Sequence, residues 1–220
     1  MKLLSFLAVA LTVITLSAEA LATSPPAYEG RRLYVSYCQL CHGVKGTGDG
    51  PLAKKMDIHP ANLTTTLRSR SDTILKKIIM GRGRQTITGR DRHNLLSEAM
   101  PQWENVFDEA QVDAIIAYLR FLSRSKYKLL GDPEVGYTLY QKYCVVCHGE
   151  EGDGEGIMTT LMEIYPADHS SPAAMNLVTN EELIETIQSG KGEFMPGWKD
   201  ILTPDEIEAL VSYIRLLSNF

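Results

Sequence analysis

An internal repeat restricts the fold of this chain more than any other feature of its sequence. The segment 30–43 aligns without a gap with the segment 136–149, at a constant offset of 106 residues. The alignment continues through spaced glycines, which are Gly46, Gly48 and Gly50 in the first copy and Gly152, Gly154 and Gly156 in the second. A repeat of this length predicts two homologous domains in tandem rather than one large core.

A second matching block lies later in each copy and defines the extent of the domains. Met100-Pro101-Gln102-Trp103 matches Met195-Pro196-Gly197-Trp198 at an offset of 95, because the first copy holds an insertion before Met100. The polar stretch 123–132 has the composition of a linker. We therefore expect one domain over residues 23–126 and a second over residues 127–220.

The first 22 residues have the pattern of a secretory signal peptide. Lys2 precedes an apolar run over residues 3–16, and two overlapping small-residue cleavage patterns follow, Ala18-Glu19-Ala20 and Ala20-Leu21-Ala22. We expect residues 1–22 to be removed and the mature protein to work in the periplasm. The alternative is an uncleaved membrane anchor, although the run is short for spanning about 30 Å of hydrocarbon.

Both copies show the periodicity of helices. The last segment of each has apolar residues at helical spacing, namely Val112, Ile115, Ile116, Leu119 and Leu122 in copy one and Ile207, Leu210, Val211, Ile214 and Leu217 in copy two. Asp108 with Gln111, and Thr203 with Glu206, predict a capped start for these two helices. A shorter helix that ends at a glycine is expected in each copy, over residues 72–80 and 181–189. No segment alternates with the period of a strand, so the predicted fold class is all-α.

The cysteines carry the chemistry of the sequence. All four belong to two motifs of identical spacing, Cys38-Gln39-Leu40-Cys41-His42 and Cys144-Val145-Val146-Cys147-His148. Two cysteines three apart at a helix end share a face, so both sulfurs can bond the vinyl groups of one haem while the next histidine turns toward the iron. A thioredoxin-like dithiol would need a βαβ context that the sequence lacks, and a zinc knuckle would need a second ligand pair. Two covalently bound haem c groups are therefore predicted.

With these motifs the sequence resembles the class I cytochromes c, specifically the tandem dihaem type, over nearly the whole mature chain. The resemblance implies two small all-α domains, each folded around a covalent haem. In that family the iron is bound by the motif histidine and, from the far side, by a methionine that is commonly followed by proline and an aromatic residue. It implies that His42 and Met100 bind one iron and that His148 and Met195 bind the other. The alternative for each methionine is an ordinary core position.

The resemblance also implies contacts that support each site. The family packs a glycine and an aromatic residue of its first helix against an aromatic residue of its last, which corresponds to Gly30, Tyr34 and Tyr118 in copy one and to Gly136, Tyr140 and Tyr213 in copy two. It also orients the ligand histidine through the backbone carbonyl of a proline, for which Pro60 and Pro166 are the candidates. The alternative is that both prolines are only turn residues.

Three further histidines, His59, His93 and His169, do not fall at matching places in the repeat. We expect them at the surface or behind the ligands rather than on iron. His93 lies in the insertion just before Met100, so it would compete for iron if that segment moved.

Charge is distributed unevenly along the chain. Residues 23–126 hold 16 Lys and Arg against 10 Asp and Glu, whereas residues 127–220 hold 5 against 16. The overall acidic excess argues against nucleic-acid binding, which needs a basic surface for the phosphates. The split favours different redox partners for the two halves, since complementary fields steer encounter; the alternative is that each half is merely solvated. The predicted docking groups are a basic cluster, Arg82, Arg84, Arg90 and Arg92, and an acidic cluster, Glu150, Glu151, Asp153 and Glu155.

The function predicted from these features is periplasmic electron transfer through two haems, with no substrate chemistry. The partners are redox proteins, such as a membrane oxidase, reductase or dehydrogenase, and maturation needs the haem-attachment machinery. A cytochrome subunit held by a larger oxidoreductase is one alternative. A dihaem enzyme such as a thiosulfate dehydrogenase is another, but it would need an open or unusually ligated iron, and no cysteine is left over to act as that ligand.

Overall fold

The computed structural model describes residues 25–81 and 100–218, and in these ranges the regular elements are helices, joined by one isolated β-bridge. The helices of the first copy are α1 (Pro26–Tyr37), α2 (Gln39–His42), α3 (Pro51–Met56), α4 (Leu63–Thr66), α5 (Asp72–Ile79) and α6 (Glu109–Arg124). Those of the second copy are α7 (Pro133–Tyr143), α8 (Val145–His148), α9 (Ile157–Met162), α10 (Pro172–Met175), α11 (Asn180–Ser189) and α12 (Pro204–Leu217). The all-α prediction is confirmed, and the helices that are described follow the same order in both copies. The predicted signal peptide, the basic cluster and His93 lie outside the described residues.

The first and last helices of each domain cross at a glycine. A Cβ atom on Gly30 of α1 would overlap the backbone carbonyl of Ala114 in α6. Gly136 of α7 lies against the carbonyl of Ala209 in α12 in the same way. Only a residue without a side chain permits this approach. The crossing predicted from the family is therefore confirmed in both domains.

Tyrosine pairs fill the space beside each crossing. The rings of Tyr34 and Tyr118 lie 5.2 Å apart between centroids, and those of Tyr140 and Tyr213 lie 5.1 Å apart. All four side chains are buried. Each pair joins the helix that leads into the Cys-x-x-Cys-His motif to the last helix of its domain, so packing there controls where the motif begins.

The predicted helix starts are also confirmed. The Asp108 carboxylate accepts a hydrogen bond from the backbone N–H of Gln111 at 2.8 Å, and the Gln111 side chain accepts one from the N–H of Asp108 at 3.0 Å. Thr203 and Glu206 make the same reciprocal pair at the start of α12. Helix α5 ends at Ile79, one residue before its predicted end, and α11 begins at Asn180, one residue before its predicted start.

A buried arginine ties the last helix of each domain to the preceding loop. Arg215 of α12 is 2% exposed and donates to the side-chain oxygen of Asn180 and to the carbonyls of Met175 and Val178. Arg120 of α6 occupies the equivalent place in the first domain. These contacts hold α11 and its flanking loop against α12, which carries much of the second core.

The two domains are packed against each other through α1. Tyr28 is 3% exposed, and its ring stacks on Tyr137 and meets the edge of Tyr213, with both centroids at 5.2 Å. Its hydroxyl donates to Glu134 at 2.7 Å, and Arg32 lies 3.5 Å from the same carboxylate. The first domain therefore contributes a side chain to the core of the second.

Candidate haem sites

Each attachment motif begins where a long helix gives way to a short one. The N–H of His42 donates to the carbonyl of Cys38 at 2.9 Å, and His148 donates to Cys144 at the same distance. This single helical turn places the two cysteines of a motif on one side, as their spacing predicts. All four cysteines are half-buried, and none of them forms a disulfide.

A tyrosine hydroxyl holds the chain directly after each motif histidine. Gly43 and Gly149 end the short helices with φ angles of 79° and 77°, a left-handed conformation that turns the chain sharply. The hydroxyl of Tyr34 donates to the carbonyl of Gly43 at 2.7 Å, and that of Tyr140 donates to Gly149 at 2.8 Å. The motif is therefore connected directly to the helix crossing beside which these tyrosines pack.

The backbone also fixes the orientation of each ligand imidazole, but through a different carbonyl from the one expected. His42 Nδ1 lies 3.3 Å from the carbonyl oxygen of Ala61, not from that of Pro60. A Cβ atom on Gly48 would overlap the Pro60 carbonyl, so that oxygen faces the glycine loop and the next one along the chain faces the ring. The prediction for Pro60 is therefore wrong by one residue.

The second domain repeats this correction. His148 Nδ1 lies 3.4 Å from the carbonyl oxygen of Ala167, so Pro166 is not the partner either. Because a carbonyl can only accept, the contact assigns the proton to Nδ1 in both histidines and leaves the lone pair of Nε2 for a metal.

Burial determines the protonation state of the donor atoms. It lowers the pKa of His42 and of His148 below the ordinary histidine value, against the smaller opposite effect of the alanine carbonyls. It raises the pKa of Cys38 and of Cys144 to about 12, with the neighbouring motif cysteine adding to the effect. The imidazoles are thus neutral, as metal ligation requires, and the raised pKa of the two thiols applies only before each sulfur is bonded to a haem.

The two predicted methionine ligands lie in the segments that precede the last helices. Met195 is half-buried, packs against the core, and forms the isolated bridge with Lys191 through backbone bonds of 3.0 and 3.4 Å. Met100 is also half-buried. Ligation of an iron by either sulfur stays a prediction.

The tryptophans that follow these methionines anchor the segments. The backbone N–H of Trp103 donates to the carbonyl of Ile79 at 3.3 Å, and the backbone N–H of Trp198 donates to the carbonyl of Ile187 at 2.9 Å. Both indoles are half-buried and pack against the core, Trp198 with its centroid 4.9 Å from that of Tyr143. The Met-Pro-x-Trp pattern therefore marks equivalent anchor points in the two domains.

His169 belongs to the second site, although sequence reasoning did not single it out. Its ring is 8% exposed and stacks on that of His148, with centroids 4.8 Å apart and planes 14° apart. Burial, with a further effect of His148, lowers its pKa to about 3, so the ring is neutral. Its position aligns with Leu63 at the offset of the repeat, and this exchange of an apolar for a polar residue was the signal in the sequence that could have identified His169.

His59, by contrast, is exposed.

A family model described as cytochrome c oxidase, cbb3-type, subunit III matches the chain twice, over residues 25–119 and 131–214. The chain belongs to this family. Because one match falls on each copy of the repeat, the protein is a dihaem cytochrome c with two covalently bound haem c groups.

Individual relatives agree with the family assignment. The chain is 24% identical over 199 residues to the cbb3-type cytochrome c oxidase subunit FixP of Azorhizobium caulinodans, and the alignment covers 86% of this chain and 59% of the relative. It is 23% identical over 206 residues to the cbb3-type subunit CcoP of Rhodobacter capsulatus, with 86% and 61% covered. This chain thus spans about three fifths of the length of these relatives.

One solved structure is similar along most of the chain. It is described as the Kuenenia stuttgartiensis reducing HAO-like protein complex Kustc0457/Kustc0458, and it is 24% identical, with a TM-score of 0.36. The alignment covers 86% of this chain and 96% of that one.

The donor atoms of each domain fit a covalent haem. The two cysteines of each motif lie one helical turn apart and are in no disulfide, and the next residue is a neutral imidazole whose Nε2 is available. A methionine thioether lies in the segment before the last helix of each domain. Imidazole and thioether are the pair that six-coordinate cytochromes c use, and thioether is a soft ligand that favours ferrous iron.

Proposed function

We propose that this protein carries single electrons between redox partners, with His42 and Met100 on the iron of one domain and His148 and Met195 on the iron of the other. The duplication of the whole motif environment supports the proposal: the distances from histidine to alanine carbonyl are 3.3 and 3.4 Å in the two domains. The proposal includes a signal peptide over residues 1–22 and domains over 23–126 and 127–220.

The protein's own residues hold each site still while its charge changes. The bound haem supplies the one-electron Fe(II)/Fe(III) couple. The Ala61 and Ala167 carbonyls fix the plane of each imidazole and raise its basicity, and the Tyr34 and Tyr140 hydroxyls hold the chain behind it. A ligand set that does not move between oxidation states costs little reorganisation when an electron arrives.

The contact between the domains supports electron exchange inside one molecule. Tyr28 is enclosed by Tyr137, Tyr213 and Glu134 of the second domain, so the two haem sites stay at one separation instead of moving on a flexible tether. The linker is held as well, since the N–H groups of residues 130 and 131 both donate to the Ser212 hydroxyl, at 2.8 and 2.9 Å.

We propose further that the partner is a membrane oxidase and that this chain is one of its cytochrome subunits. The similarity to proteins named as cbb3-type oxidase subunits supports this over a freely diffusing carrier, which the sequence alone had favoured. No helix within residues 25–81 and 100–218 has both the length and the apolar character needed to cross a bilayer.

Affinity purification from the native host distinguishes the two settings. A tagged chain, solubilised from membranes in mild detergent, should co-purify with a terminal oxidase that consumes oxygen when the cytochrome is reduced. A variant with all four motif cysteines changed to alanine should lose that association, because it cannot mature. Recovery of the wild-type chain only in the periplasmic extract, without oxidase, would support the free carrier. The mass of the purified chain shows whether residues 1–22 were removed.

The glycine loop of the second domain is a candidate docking surface for a basic redox partner. Glu150, Glu151 and Glu155 are exposed beside the second motif. Asp153 instead accepts a bond from the N–H of Glu155 at 3.0 Å and stabilises the loop. The first domain has Lys45 where the second has Glu151, so only the second loop is strongly acidic.

Stopped-flow electron exchange with a basic single-haem cytochrome c tests this surface. Changing Glu150, Glu151 and Glu155 to glutamine should slow exchange at low salt, and the difference should fade as the Debye length falls to ~10 Å at 0.1 M. Lys45→Gln is the matched control and should not slow the reaction. Equal rates for wild type and the triple variant at low salt would show that the cluster is only solvated.

A further inference from the structure

The two haem sites share their backbone contacts but differ in one buried side chain. The N–H of Leu63 donates to the carbonyl of Gly46 at 2.6 Å, and the N–H of His169 donates to Gly152 at the same distance. Leu63 and His169 are each 8% exposed. The two residues therefore occupy one position of the fold, where the first domain has an apolar group and the second has an imidazole.

His169 is held in place from several sides. Its ring is nearly parallel to that of His148, and its backbone carbonyl accepts a hydrogen bond from the Ser218 hydroxyl at 3.0 Å. A Cβ atom added to Gly152 would lie 3.3 Å from the Cβ of His169. Its Nδ1 is buried without a hydrogen-bond partner in the protein. A buried polar atom left unpaired costs stability, so its presence calls for an explanation other than packing, which Leu63 already provides in the first domain.

A polar ring at this place affects the two oxidation states of the haem differently. The ferric site carries one more positive charge than the ferrous site. A dipolar, polarisable ring stacked on the ligand imidazole stabilises that extra charge better than leucine does, because electrostatic effects are strong in a buried, low-dielectric environment. Burial, polarity and contacts behind the axial ligand are the means by which a protein adjusts the haem potential.

The charge of the two domains acts in the same direction. Residues 127–220 hold 5 basic against 16 acidic residues, and negative charge also favours the ferric state. Residues 23–126, with 16 basic against 10 acidic, favour the ferrous state. Both observations distinguish the second site from the first.

We propose that His169 lowers the reduction potential of the haem in the second domain, so that an electron entering there passes to the first domain. In this step the second site gives up one electron and becomes ferric, and the first site accepts that electron and becomes ferrous. The inference rests on the proposed ligation by His148, and it gives the carrier a direction: entry through the acidic domain and exit through the basic one.

Reciprocal exchange of the two residues tests this in the full-length holoprotein. Spectroelectrochemical titration of the wild type should resolve two one-electron components. His169→Leu should raise one of them, and Leu63→His should lower the other. We expect each change to alter the equilibrium constant for electron transfer between the haems about tenfold, which is ~59 mV for a one-electron couple.

Two controls keep the outcomes distinct. His169→Phe keeps a stacked ring without nitrogen atoms and should behave like His169→Leu; a potential unchanged from wild type would overturn the polar-group argument. If neither reciprocal variant moves a component, or both move the same one, the proposal is wrong. The haem count and the sulfur-to-iron charge-transfer band are recorded for the wild type and for each variant. A wild type without that band would contradict the proposed ligation rather than the role of His169.

Discussion

Gly136→Ala is the substitution that most directly tests how the second haem site is built. In a free helix the change would stabilise by ~1 kcal/mol, because alanine is the better helix former. Here the new Cβ would overlap the carbonyl of Ala209 and lie 2.8 Å from the Cβ of Tyr213. Carbon atoms pack best at about 3.5 to 4.0 Å, so α7 and α12 would have to separate by roughly 1 Å.

The size of the effect follows from these two opposed terms. Overpacking costs about 1–3 kcal/mol, and the upper end applies because the obstacle is a backbone carbonyl that cannot rotate away. Subtracting the gain in helix propensity leaves a decrease of about 2 kcal/mol in the free energy of unfolding of the second domain. With a urea dependence of about 2 kcal/mol per molar, the unfolding midpoint of the second domain should fall by about 1 M.

Tryptophan fluorescence isolates the domain in question. The chain has two tryptophans, so a Trp103→Phe background leaves Trp198 as the reporter, whose emission the haem quenches until the second domain unfolds. Val135→Ala, at an exposed position of the same helix, is the control and should change stability by less than about 0.5 kcal/mol. If Gly136→Ala is as stable as its background, the close helix crossing does not govern this domain.

Three further predictions concern the second domain. Changing Cys144 and Cys147 to alanine should leave one haem that resists acid-acetone extraction; two resistant haems would contradict attachment at this motif. Met195→His should remove about half of the sulfur-to-iron charge-transfer band and lower one potential, since imidazole favours ferric iron; an unchanged band would show that Met195 is not a ligand. Arg215→Lys keeps the charge but cannot reach Asn180 and two carbonyls together, so urea unfolding should show a loss of about 2–3 kcal/mol, and a negligible change would refute the role of the forked contacts.

Local sequence patterns were sufficient to predict much of the fold. The cap pairs at Asp108 and Thr203, the apolar stripes of α6 and α12, and the helical turn of each Cys-x-x-Cys-His motif involve residues within a few positions of each other. Such features depend on backbone geometry that is the same in any helix, so spacing alone predicts them. The repeat then predicted the same arrangement twice, and the structure has it twice.

The sequence by itself therefore determined the two domains, their helices and the two Cys-x-x-Cys-His motifs, whereas three features were decided only by the tertiary structure. The carbonyl that orients His42 belongs to Ala61 rather than Pro60, because close packing of the glycine loop sets the direction of each peptide. His169 reaches His148 across 21 residues of chain, and Tyr28 reaches Glu134 across 106. Contacts between distant residues depend on how complete helices pack, and no local spacing encodes that packing.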